Sequence, residues 1–160
     1  GYRYYSGAAL FRFGEGLSLT TFSHACSAGG VAGANLTFRC TVTNTGAREG
    51  DEVVQLYHRV SDAIRRAADH PIPLRKLVEF ERVSLGKGAS TSVQFSLPRQ
   101  RLAVTNGAGD YVLYKGWHTI VFSRGTGNDT SVDVRIDGDV LFRNNHEDPG
   151  LPPKFASGTL

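Results

Sequence analysis

Cys26 and Cys40, the carboxylates Glu49, Asp51 and Glu52, the aspartates Asp133, Asp137 and Asp139, and five histidines are the residues here whose types could do chemistry. The cysteines lack a C-x-x-C pair or a His-x-x-x-His companion, so they do not make a zinc site. Cys40 falls in phase with Leu36, Phe38 and Val42, which reads as a buried free thiol in a core. The sequons Asn35-Leu36-Thr37 and Asn128-Asp129-Thr130 point instead to a secreted, glycosylated chain, and hence to a Cys26–Cys40 disulfide. The three aspartates with Gly138 resemble part of a calcium loop but lack its closing bidentate glutamate. His24, His58, His70, His118 and His146 are far apart and lack ligand spacing. No serine sits in a G-x-S-x-G elbow. Gly125-Thr126-Gly127 joins two strands and opens no helix that could hold phosphate. Glu49, Asp51 and Glu52 follow a Thr-Gly turn and read as a solvated strand edge, while Glu15, between Gly14 and Gly16, reads as a turn residue.

The bulk composition narrows the classes further. A formal charge of +3 and a pI near 9.0 could suit an acidic partner, but the basic residues are scattered among 15 carboxylates, whereas a nucleic-acid footprint needs clustering. The densest group, Arg65, Arg66, Arg75 and Lys76, flanks a proline-containing segment without interleaved aromatics and reads as a solvated loop. No apolar run approaches the roughly 18 to 20 residues that span a bilayer. Apolar residues at 40% and aromatics at 10% suffice for a sizeable core. With no methionine in the sequence, Gly1 does not follow a retained translation start, and a processed product or excised piece is expected.

The elements that must carry these residues are strands. Asn35 to Asn44 alternates Leu36, Phe38, Cys40 and Val42 against Thr37, Arg39, Thr41 and Thr43, a strand with one buried face. Glu52 to Val60 is a second strand. Ala63 to Asp69 can make a short helical turn before Pro71 and Pro73 stop it. Leu77 to Leu85 and Ser90 to Leu97, joined by Gly86-Lys87-Gly88, read as a β-hairpin. Arg101 to Val104 and Tyr111 to Tyr114 are short extended pieces, and Thr119 to Ser123 with Ser131 to Ile136 form a last hairpin. Seven or eight short strands without a long helical period predict an all-β, antiparallel β-sandwich with irregular N- and C-terminal extensions. Residues 144–160 show little alternation and carry Pro149, Gly150, Pro152 and Pro153, so they read as an irregular tail.

Several stretches resemble family 3 glycoside hydrolases, the β-glucosidase and β-xylosidase family. GYRYYSGAALFRFGEGLSLTTF (Gly1 to Phe22) is similar to the family's Y-R-x-Y and P-F-G-x-G-L-S-Y-T-x-F joint. TVTNTGAREGDEVVQLY (Thr41 to Tyr57) is similar to V-x-N-T-G-x-x-x-G-x-E-V-V-Q-L-Y, and Pro73 to Leu97 and Gly109 to Gly116 follow in the family's order. Glu79 stands where the family usually has glycine, and Trp117 to Asp139 is longer than the usual ending. The resemblance implies an immunoglobulin/fibronectin type III-like sandwich at 23–143, a joint at 1–22 that docks on it or on a neighbouring domain, and a tail at 144–160.

The same resemblance implies a non-catalytic accessory domain of a secreted β-glycosidase, because the family's nucleophilic aspartate and acid/base residue sit in domains upstream of such a segment. No catalytic residue, cofactor or metal is expected here, and the implied partners are the catalytic domains of the same parent. Tyr2, Tyr4, Tyr5, Phe11 and Phe13 are the candidates for that domain contact. A carbohydrate-binding module is the first alternative, with polysaccharide as partner and Trp117 as the sugar-stacking residue, although the burial expected of a large aromatic favours Trp117 covering the sandwich end. The second is a processed β-sandwich subunit of an extracellular or surface assembly.

Overall fold

The computed structural model describes residues 1–32, 34–125, 127 and 129–142. The tail expected at 144–160, the sequon residue Asn128 and His146 lie outside them. Ten strands are assigned: β1 (Phe22–Ala32), β2 (Asn35–Asn44), β3 (Gly50–Val60), β4 (Lys76–Leu85), β5 (Ser90–Pro98), β6 (Val104–Thr105), β7 (Tyr111–Leu113), β8 (Gly116–Ser123), β9 (Thr130–Ile136) and β10 (Val140–Phe142). A short helix, α1 (Asp62–Ala67), follows β3, its first turn capped by the Ser61 hydroxyl accepting from the Ile64 amide.

All pairings are antiparallel. One sheet has the order β1-β2-β5, a second β4-β3-β8-β9, and a small third sheet β10-β7-β6. The apolar phase of β2 (Leu36, Phe38, Cys40, Val42) faces Val54, Leu56, Ile120 and Phe122 of the four-stranded sheet, and both sets are buried in one core. Phe38 meets Phe122 edge to face at 6.0 Å between ring centroids. The architecture is a fibronectin type III-like β-sandwich, with inward residues from both sheets filling the space between layers.

Two expectations of pairing change. Gly86-Lys87-Gly88 does not close a hairpin: β4 hydrogen-bonds to β3 and β5 to β2, so the turn carries the chain from one sheet to the other. Alternation fixes which face of a strand is buried but not which strand lies beside it. Among the described residues the strands number ten where seven or eight were expected, the additions being β1, which ends in the Ser-Ala-Gly-Gly-Val-Ala run, and the very short edge piece β10. Opposite Leu56 and Tyr57 the register of β4 slips past Val78, a bulge next to Glu79 where the family carries glycine.

The N-terminal segment, residues 1–21, has no strand or helix but is pinned to the outer face of the four-stranded sheet. The Tyr2 ring stacks on Phe13 (4.0 Å, 9°) and meets Tyr57 edge-on at 6.0 Å. The Tyr2 hydroxyl accepts from the Leu77 amide at 3.0 Å, and Gln55 Nε2 donates to the Gly14 carbonyl at 2.8 Å. Gly14 and Gly125, at φ 81° and 78°, let two loops meet here. A Cβ on Gly14 would fall on the Gln55 side chain, and one on Gly125 on the Gly14 carbonyl.

Candidate functional site

The side chains with chemical potential divide into a buried set that holds the sandwich and an exposed set on the N-terminal segment and the outer sheet face. Cys26 and Cys40 are register partners on β1 and β2, and the structure joins them as a disulfide. Neither is therefore the free thiol that the phase of β2 allowed. His24 brings a ring nitrogen within 4.8 Å of both sulfurs, but sulfurs bonded to each other offer no thiolate to a metal.

The acidic cluster separates by strand alternation. Asp51 stays exposed and accepts from Arg82 and the Ser84 hydroxyl, bonds that hold its pKa below the ordinary carboxylate range, with the Arg82 charge adding to them. Glu52 turns inward, which corrects its reading as a solvated edge residue. It is buried, accepts from Arg124 Nε and lies 2.9 Å from His24 Nε2. Burial pushes the Glu52 pKa up, but the His24 and Arg124 contacts outweigh it and the net shift is downward. Arg124 also donates to the Phe22 carbonyl at 2.7 Å, so this charge group ties β1, β3 and the end of β8 together. Glu49 is exposed, and Glu15 closes a turn with Arg12, whose amide donates to Glu15 Oε2 at 2.9 Å.

The histidines, distant in sequence, include one contact pair. His58 on β3 and His118 on β8 are both buried, their rings stacked at 5.1 Å with His58 Nε2 2.8 Å from His118 Nδ1. His118 Nε2 lies 2.7 Å from the Tyr114 carbonyl and must donate to it. Nδ1 of a neutral His118 is then bare and accepts from His58 Nε2–H, which fixes both tautomers. Burial pushes both imidazoles below their ordinary pKa, His58 the further because the His118 and Lys76 charges also oppose its protonation. The three aspartates do not converge: Asp133 accepts from Thr119, Asp139 from the Lys115 amide, and Asp137 lies 3.5 Å from Arg135.

The domain-contact candidates split in two. Tyr2 and Phe13 form the stack that anchors the segment, and Phe13 keeps one side open. Tyr4, Tyr5 and Phe11 point to solvent, Phe11 at 82% exposure, together with Leu10, Leu17 and Leu19, which the sequence reading did not single out. These exposed apolar side chains lie along one segment of about 20 residues, well beyond the scattered single residues ordinary on a monomer.

Trp117 corrects the expectation of burial. His118, Ile120 and Phe122 take the core face of β8, leaving Trp117 on the outer face at 54% exposure with the Arg135 guanidinium 5.8 Å from its ring. The basic group around the prolines is also not simply solvated. Arg65 donates to the carbonyls of Ile72 and Pro73, and Arg75 lies 4.7 Å over the Tyr57 ring. The aromatic face for Arg75 comes from β3, distant in sequence, which is why local interleaving missed it. Both line a groove of about 570 Å³ between the N-terminal segment and the outer sheet face, together with Arg12, Arg59, Asp62 and Tyr5.

Residues 52–125 match the model of the fibronectin type III-like domain. Over 109 residues, 61% of this chain, the sequence is 39% identical to a probable β-glucosidase J of Neosartorya fischeri, of which it covers 12%. Over 103 residues, 63% of the chain, it is 38% identical to a xylan 1,4-β-xylosidase of Xylanibacter ruminicola, covering 11%. Among solved structures, the GH3 β-glucosidase of Bifidobacterium adolescentis superposes with a TM-score of 0.74 at 25% identity, over 85% of this chain and 20% of that one. The β-glucosidase 3B of Thermotoga neapolitana gives 0.73 at 26% identity, over 84% and 18%. The chain therefore spans between 11% and 20% of the length of these proteins.

Proposed function

This chain carries the fibronectin type III-like domain of family 3 β-glucosidases and β-xylosidases, matched in the C-terminal portion of those enzymes, and from that premise we propose that it is a non-catalytic accessory domain that stabilises or orients the catalytic domains of a secreted β-glycosidase. The observation that carries this reading is the N-terminal segment itself. The sandwich holds it by Tyr2, Phe13 and Gly14. It thereby presents Tyr4, Leu10, Phe11, Leu17 and Leu19 outward as a face that another protein surface would cover. The relatives extend far beyond the stretch matched here, so a further domain of the same parent is the partner of first choice.

The carboxylates support the non-catalytic reading. Glycoside hydrolysis by retention needs two carboxyl groups roughly 5 to 5.5 Å apart across a cleft. Among the described residues, Asp51 and Glu52 point to opposite faces of β3 and are already engaged by Arg82, Ser84, Arg124 and His24. Secretion is supported by the Cys26–Cys40 bridge, which oxidising compartments favour, and by the Asn35 sequon at the start of β2.

The test is a triple substitution, Tyr4→Ser, Tyr5→Ser and Phe11→Ser, in the full-length parent enzyme. The expected result is faster limited proteolysis at the joint and a separate, earlier thermal transition for the sandwich. A parent that unfolds and resists protease as before would overturn the proposal. The intact mass of the protein in its native source separates an accessory domain from a free structural subunit.

A further inference from the structure

The groove beside the outer face of the four-stranded sheet is lined by more arginines than aspartates. Arg59, Arg65, Arg75 and Arg12 line the groove, against Asp62 and Asp129. Arg65 is consumed by the carbonyls of Ile72 and Pro73. Arg59 is exposed, and neither it nor Arg75 has a carboxylate partner among the described residues. Arg75 is held over the Tyr57 ring, which fixes its guanidinium while leaving its N–H edges free of any ion pair.

Register places a flat aromatic beside this charge. Arg59 of β3 pairs with Thr119 of β8, which pairs in turn with Asp133 of β9, and Trp117 lies two residues along β8 on the same face. Diagonal neighbours of this kind are roughly 7 to 8 Å apart. From Trp117 to Val121, which floors the groove, is roughly 13 Å along the strand, the length of an oligosaccharide and not of a single sugar. The row between is polar and ordered, with Thr119 Oγ1 donating to Asp133 Oδ1 at 2.8 Å.

We propose that this face binds an oligosaccharide bearing a carboxylate, a uronate-containing chain, with Trp117 stacking on one sugar ring and Arg59 and Arg75 pairing with the carboxylate. The chemistry of the face suits such a chain: the exposed, flat Trp117 ring lies one diagonal step from Arg59, unpaired among the described residues, so a sugar face and a carboxylate are met together. A planar guanidinium matches a carboxylate through two parallel hydrogen bonds, which neutral sugars do not offer. The groove shares Tyr5 with the N-terminal segment, but Trp117, Arg59 and Arg75 are not strip residues, so their variants leave the docking face intact and the two tests fail separately.

Affinity electrophoresis of the full 160-residue chain through gels containing glucuronoxylan or polygalacturonate, and through gels of the same polymers after carboxyl reduction, tests it. Retardation is expected in at least one acidic gel and is lost on carboxyl reduction. Arg59→Ala, Arg75→Ala and Trp117→Ala are each expected to weaken the apparent dissociation constant about tenfold. Lys87→Ala, at the exposed turn between β4 and β5, should leave it unchanged. Arg59→Lys, which keeps the charge and loses the fork, should fall between, and unaltered melting curves establish that the variants are folded. Four results would overturn the proposal: no retardation in either acidic gel, equal retardation on the reduced polymers, an equal effect of Lys87→Ala, or retention of an oligoglutamate peptide without retention by polysaccharide.

Discussion

Acid should loosen this sandwich through His58 and His118 before any carboxylate is protonated. Both imidazoles are neutral in the fold, locked into one tautomer pair by the Tyr114 carbonyl, and both are held below their ordinary pKa by burial. Lys76 adds a positive charge near His58, its Nζ held by the Ala103 carbonyl at 2.6 Å. The sign follows from proton counting. Below pH about 6.5 the unfolded chain binds protons that the folded chain refuses, so stability is complete above that pH and falls as pH drops. Each such histidine contributes a slope of at most about 1.4 kcal/mol per pH unit between its unfolded and folded pKa, and the pair at most about 2.7 kcal/mol per unit. His118→Leu removes one titrating group and leaves His58 Nε2–H and the Tyr114 carbonyl unpartnered. It should therefore cost roughly 1–3 kcal/mol at pH 8 but halve the slope towards pH 5. Urea unfolding at half-unit pH steps measures both quantities, with the m-value checking that two-state behaviour holds. A wild-type stability flat between pH 6.5 and 5, or an equal slope in the variant, would refute the reasoning.

The ion cluster and the exposed segment give further expectations. Glu52→Gln should cost roughly 1–3 kcal/mol, since it removes the carboxylate that pairs with the partly buried Arg124 guanidinium and leaves it only the Phe22 carbonyl, and a thermal melt at pH 7 reads the loss. The lowered Glu52 pKa means that its contribution is present above pH 4.5 and disappears as pH falls further. Reduction of Cys26–Cys40, which closes a loop of 14 residues' separation, should cost about 3 kcal/mol in the chain-entropy account, and labelling of two thiols in the native, unreduced protein would contradict the bridge. In the isolated chain, Tyr2→Ala should lower stability by roughly 1–3 kcal/mol while Phe11→Ser stays within about 0.5, because one is stacked on Phe13 and the other faces solvent. Aryl glucosides and xylosides should not be turned over by the chain, and turnover abolished by replacing a single Asp or Glu here would contradict the accessory role.

Much of the sandwich was legible along the chain because strand burial repeats every two residues. Leu36, Phe38, Cys40 and Val42 announce their own phase, and their core is the one observed. α1 was readable from the residues ahead of Pro71 and Pro73, and the β8–β9 hairpin from strands flanking one short loop. β1 was not, since its Ser, Ala and Gly residues have little β preference and are drawn into the sheet by pairing with β2.

Sequence by itself determined the class of fold, the buried phase of each long strand, and the similarity of motifs in consistent order, because all three are local or ordered along one dimension. Tertiary structure alone decided what meets what. It sent β4 and β5 to different sheets and turned Glu52 inward to Arg124 and His24 while Asp51 stayed outside. It also brought His58 against His118, laid Arg75 on Tyr57, and left Trp117 on an open face beside Arg135. These contacts join residues on different strands, and their energies come from charges, rings and hydrogen bonds desolvated together, a condition that no window along the chain contains.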